Sequence, residues 1–146
     1  MSENIVSISK SEQTYQDISD ILTWYEENST KESIEAILHA KDRLAVLSFR
    51  LAEIASVSKR EYNGAYFIRK INVARKTQEL QKQGMAYNKA DTESMLKNEL
   101  FYRNEILSEA RTYKDDLVLR QVNKVLDSMQ QRIAFMRSEL NKVNAT

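Results

Sequence analysis

The sequence predicts an all-α protein: a short N-terminal helix followed by a long antiparallel helical hairpin of coiled-coil type, assembled as a homo-oligomer. Three observations carry this. Proline, the strongest helix breaker, is absent from all 146 residues, and only two glycines occur, Gly64 and Gly84. The remaining composition is rich in Glu, Lys, Gln, Arg, Leu and Ala, which favour helix. Two long apolar stripes recur at spacings of three and four, and no stretch alternates polar with apolar far enough to make a sheet.

The chain reads as one helical domain over 1–146, with residues 1–10 as a tail and helices over 11–28, 29–83 and 88–142. In the first helix, Thr14 and Asp17 are the expected cap pair. Its apolar residues Tyr15, Ile18, Ile21, Leu22 and Tyr25 form one face, and Asn28-Ser29 ends it. The second helix opens on Ser29-Thr30-Lys31-Glu32, which has the spacing of a capping box. Gly84, after Gln83, suits a left-handed C-terminal cap. Asn88 and Asp91 are expected to cap the third helix. Each long helix then spans roughly 75 Å at 1.5 Å per residue.

Helices of that length must pair along their sides to bury their stripes. The second helix carries Ile37, Ala40, Leu44, Leu47, Leu51 and Ile54. The third carries Leu119, Val122, Leu126, Met129, Ile133, Met136, Leu140 and Val143, an unbroken heptad seam widened by Val118, Val125 and Phe135. The turn at Gly84 sets the two seams side by side. The width of the C-terminal stripe calls for a further partner helix. The homo-oligomer assigns that role to another copy, with Leu119, Val122, Leu126, Met129, Ile133, Met136 and Leu140 as the interface. The alternative is a monomeric three-helix bundle closed by the first helix.

Several chemistries are excluded. Without cysteine there are no disulfides, no Cys-ligated zinc and no thiol catalysis. His39 is the only histidine and lacks a second ligand or a nucleophile. Two glycines cannot build a phosphate-cradling loop. The carboxylate neighbours Glu26-Glu27 and Asp115-Asp116 point about 100° apart on a helix and make no compact acid–base site. No enzyme, cofactor or metal is expected. The longest apolar runs have four residues, far short of a membrane span, and the first ten residues do not read as a signal peptide. A cytoplasmic location is expected.

The net charge of +1 is unevenly spread. Residues 1–56 are net −5, residues 57–82 net +5 and residues 83–146 net +1. The basic block also holds Tyr62, Tyr66 and Phe67. On a helix, Lys59, Tyr62, Tyr66, Arg69 and Lys76 share a face, and Arg60, Lys70 and Arg75 lie nearby. Cations interleaved with rings suit single-stranded DNA: the charges neutralise phosphates and unstacked bases lie on the rings. The competing reading makes Tyr62, Tyr66, Phe67 and Ile68 hairpin core and the cations solvated flanks.

One family shares this order of features. A short helix leads into a long one containing Lys59-Arg60-Glu61-Tyr62-Asn63-Gly64. A turn follows, then a long helix with Tyr113-Lys114-Asp115-Asp116-Leu117 and Val125-Leu126-Asp127-Ser128-Met129-Gln130-Gln131-Arg132. Over about residues 15–140 the chain resembles the small helical phage recombination mediators of the UvsY type. The resemblance implies single-stranded-DNA binding by a closed homo-oligomer. It also implies help in loading a RecA-type recombinase onto DNA covered by single-strand-binding protein, in the host cytoplasm for a phage-encoded chain. Lys59 and Arg60 are the matched DNA contacts. Tyr62, Tyr66, Arg69, Lys70, Arg75 and Lys76 come from the helical face. The alternative function is a coiled-coil interaction or assembly protein, an adaptor or an inhibitor of a host factor, that binds no nucleic acid.

Overall fold

The computed structural model describes residues 9–145. They form four helices: α1 (Lys10–Asn28), α2 (Ile34–Lys82), α3 (Tyr87–Lys97) and α4 (Glu99–Asn144). The two long helices, α2 and α4, pack against each other. Most of the expected 1–10 tail lies outside the described residues.

Helix α1 starts earlier than its expected cap pair. Ser9 is the cap: its hydroxyl accepts from the Glu12 amide at 3.2 Å, and the Glu12 carboxylate accepts from the Ser9 amide at 2.9 Å. Thr14 sits inside the helix and donates back to the Lys10 carbonyl at 2.9 Å, while Asp17 accepts from Gln13. The expected box at Ser29 and Glu32 is not formed either. Residues 29–33 turn the chain, with the Lys31 and Glu32 amides both donating to the Asn28 carbonyl. Ser33 then accepts from the Ala36 amide at 3.3 Å as α2 begins. Reversing direction after α1 takes those five residues out of any helix, so Ser29 cannot open one.

At the far end, Gly84 has φ +92°, and the Met85 amide donates to the Leu80 carbonyl at 3.1 Å. This is the expected left-handed cap, closed by its six-to-one hydrogen bond. Helix α3 starts at Tyr87 after Ala86, which supplies no side-chain cap, so Asn88 and Asp91 lie within the helix. The expected single helix over 88–142 is two helices. Asn98, at φ −105° and ψ 23°, interrupts it and donates its side-chain amide to the Ser94 carbonyl at 2.8 Å. The side chain competes for the backbone groups that would continue the helix.

The chain divides into two compact units. The first comprises the described residues through Ile54 together with those from Asp116 onward. Its core joins three helices: Ile18 and Ile21 of α1; Ile37, Ala40, Leu44, Leu47 and Leu51 of α2; and Val122, Met129 and Ile133 of α4. Polar contacts fix the same arrangement. Tyr25 Oη and Ser128 Oγ are 3.0 Å apart, Arg132 Nε donates to the Ser29 carbonyl at 3.0 Å, and Lys41 donates to Gln130. The C-terminal seam is therefore largely spent inside the chain, which corrects its assignment as a subunit interface. Val122, Met129 and Ile133 are fully buried, Leu119, Leu126 and Met136 pack against them, and only Leu140 and Val143 remain exposed. Helix α1 supplies the third partner that the wide stripe requires.

The second unit, Ala55–Asp115, is a hairpin of the later part of α2 against α3 and the first part of α4. Its interior contains four apolar residues, Ala55, Val73, Leu80 and Ala90, and five polar ones: Ser58, Thr77, Ser94, Asn98 and Asp115 are all buried. Ser58 donates to the Asp115 carboxylate at 2.6 Å, and the Thr77 and Ser94 hydroxyls lie 3.0 Å apart. The partner numbers fall along α4 and α3 as they rise along α2, which is antiparallel pairing.

Candidate nucleic-acid interface

In the second unit, α2 turns a regular seam towards its partners: Ala55, Ser58, Tyr62, Tyr66, Arg69, Val73, Thr77 and Leu80, at spacings of three and four. Three of the aromatic and basic residues expected to meet DNA lie on this seam. Arg69 reaches Glu105 of α4 with two hydrogen bonds, Nε to Oε2 at 2.7 Å and Nη2 to Oε1 at 3.0 Å. Its guanidinium carbon also lies 5.0 Å from the centre of the Tyr66 ring and 4.9 Å from that of Tyr102. A planar cation held by a carboxylate fork between two ring faces is a tight clamp. The Arg69 and Glu105 side chains retain only 20% and 13% of their exposure. Hydrogen bonding to Glu105 raises the Arg69 pKa further above its ordinary value, and the same contact lowers the Glu105 carboxyl below its own.

The remaining expected contacts are distributed around α2. Tyr62 is half-buried. Lys76 is paired with Glu79 at 3.0 Å. Lys70 is exposed, its ammonium 5.6 Å from the centre of the Tyr66 ring. Lys59, Arg60 and Arg75 are exposed and form no ion pair among the described residues. The expected face is thus divided: Tyr62, Tyr66 and Arg69 belong to the hairpin seam, while Lys59, Arg60, Lys70 and Arg75 stand on the surface.

The surface holds its own basic-aromatic row. Arg60, Phe67, Ile71, Arg75 and Lys82 follow one another at spacings of 7, 4, 4 and 7. These are whole or near-whole numbers of helical turns. Phe67 is 61% exposed and meets Tyr66 edge-on, with ring centres 5.9 Å apart. From Arg60 to Arg75 the row runs about 22 Å. Within the second unit, twelve basic residues face eight acidic ones, so the positive excess of the chain is concentrated here. Gly64 lies in open space within the unbroken helix, with nothing within 4 Å of where a Cβ would stand. Phe67 is the ring that periodicity alone misplaced. Seven residues from Arg60 and eight from Arg75, it was legible as a surface position once Tyr62, Tyr66 and Val73 were recognised as the seam.

Outside this face, His39 is exposed, and among the described residues no three His, Asp or Glu side chains are grouped to hold a metal ion. No helix among the described residues is long and apolar enough to cross a membrane. Comparison with known proteins finds no matching family model, curated protein or solved structure.

Proposed function

We propose that the chain is a non-catalytic, cytoplasmic single-stranded-DNA-binding protein. In this reading it acts as a recombination mediator, helping to load a RecA-type recombinase onto DNA held by single-strand-binding protein. The observation that supports DNA binding is the outward row of α2, where unpaired cations at Arg60 and Arg75 flank the exposed Phe67 ring. Cations of that kind release counterions from phosphates, and an open ring offers a face to any unstacked base. The mediator role rests on the resemblance to the UvsY-type family. Several copies engaging one strand gain affinity through effective concentration.

The test is titration of a fluorescent oligo-dT across a salt series. Binding should weaken as salt rises. Replacing Arg60 and Arg75 with Ala should flatten the log–log slope by about 0.7 for each lost phosphate contact. Phe67→Ala should cost about 1–3 kcal/mol of affinity with little change in slope. Absence of salt-dependent binding overturns the reading. It would favour a coiled-coil assembly protein that binds no nucleic acid, a second reading supported by the large apolar side chains exposed on the second unit.

A further inference from the structure

The ion pairs that join α2 to α4 in the second unit match opposite charges: Arg69 meets Glu105, and Arg111 meets Glu61 at 3.2 Å. One cleft of the same unit gathers like charges instead. It encloses about 380 Å³ and is lined by Asn72, Arg75, Lys76 and Glu79 of α2, by Lys97 of α3, and by Asn98. Lys76 is paired with Glu79. Arg75 and Lys97 reach the cleft from two different helices and form no ion pair among the described residues. Three cations against one carboxylate leave an excess of +2. Like charges brought together oppose folding, so the excess lacks a partner within the chain. The cleft also holds amide donors. The Asn72 and Asn98 side chains each donate to a carbonyl of their own helix, Ile68 at 2.7 Å and Ser94 at 2.8 Å. A carboxamide has two N–H donors, so each keeps one in reserve. Beyond Asn98 the 46-residue α4 begins, and its positive end adds to the cations; the Glu99 carboxylate there is taken by Arg103 at 2.8 Å.

We propose that this cleft binds a phosphate monoester, the terminal phosphate of a DNA strand lying on the outward row of α2. Its charge selects the ligand. A monoester carries about −1.5 to −2 at pH 7 and three acceptor oxygens, which answers the excess of +2, whereas a phosphate inside a strand carries a single charge. Its position selects the source. Arg75 belongs both to the row and to the lining of the cleft, so a strand held on the row brings its end within reach of Lys97. Lys97 and Asn98 stand off the row, at the junction of α3 and α4. The strand end rests on the DNA-binding reading; the cleft's affinity for a phosphate monoester does not.

The test uses internally labelled oligo-dT carrying a 5′-phosphate, a 3′-phosphate or neither. At least one phosphorylated strand should bind about threefold or more tightly than the plain one, the scale of a partly exposed ion pair. Lys97 is exposed, so Lys97→Glu should fold normally while cancelling the excess of +2. It should abolish the advantage of the phosphorylated strand and leave the salt slope of the plain strand unchanged. Equal binding of all three strands overturns the proposal, and so does an advantage that survives Lys97→Glu. A second measurement separates the cleft from the row. Millimolar inorganic phosphate, against chloride of the same ionic strength, should raise the melting temperature of the unmodified chain more than that of Lys97→Glu. Where no strand binds at any salt, the DNA-binding reading fails and takes the strand end with it, and this shift alone decides the cleft. A shift shared equally by the variant overturns it.

Discussion

Arg69 shows how one side chain can be drawn from an expected ligand contact into a structural one. Its fork of donors matches the Glu105 carboxylate, and the planar guanidinium lies between Tyr66 and Tyr102. Lysine can reproduce the charge but neither the fork nor the flat stacking face. Arg69→Ala should therefore lower stability by about 1.5–3 kcal/mol, the range for hydrogen bonds to charged groups, and Arg69→Lys should recover only part of it. Urea unfolding at pH 7 measures both. The pH dependence has a definite sign. The folded Glu105 carboxyl lies below its ordinary value of 4.5, so its contribution is complete above that value and is lost as acid carries the pH down through the lowered one. Arg69 stays charged throughout. In Glu105→Gln that part of the acid slope should disappear.

At the scale of elements, apolar periodicity was a sufficient guide wherever the seam is apolar. Ile37, Leu44, Leu47 and Leu51, with Ile18 and Ile21, were readable in advance because side chains at such spacings have no other favourable destination. Three features escaped for physical reasons. Ser29-Glu32 has the letters of a capping box but falls where the chain must reverse. Asn98 breaks a helix through a side-chain hydrogen bond that competes with the backbone, a cue much weaker than proline. The third escaped only in part: Tyr62 and Tyr66 stood in the competing reading as hairpin core, but Arg69, which joins them in the seam, scores as surface when only apolar positions are counted. The C-terminal stripe offers the sharpest check. Ile133→Asp places an unpaired charge in the three-helix core and should abolish cooperative melting, at a cost of several kcal/mol. Leu140→Asp, seven residues on and exposed, should change stability by less than about 0.5 kcal/mol. Equal, mild effects on melting would contradict an intramolecular seam.

Across the whole molecule, α2 is a single unbroken helix of 49 residues, yet it is held in two different ways. From Ile37 to Leu51 it lies in an apolar core closed by α1 and α4. From Ser58 to Thr77 it is held by one hydroxyl pair, a buried carboxylate and the Arg69 clamp, with far less apolar surface between the helices. The consequence is one of lifetime. Amide hydrogens are replaced by solvent deuterium only when their helix opens, and opening is easiest where few apolar contacts must be broken. Mass-resolved exchange should find amides between residues 37 and 51 at least about tenfold slower than those between 58 and 77, about 1.4 kcal/mol in opening free energy. Uniform protection along α2 would mean that the polar seam is as costly to open as the apolar one. With graded protection, the later part of α2, which carries the Arg60–Arg75 row, can fray and reform many times while the three-helix core stays closed.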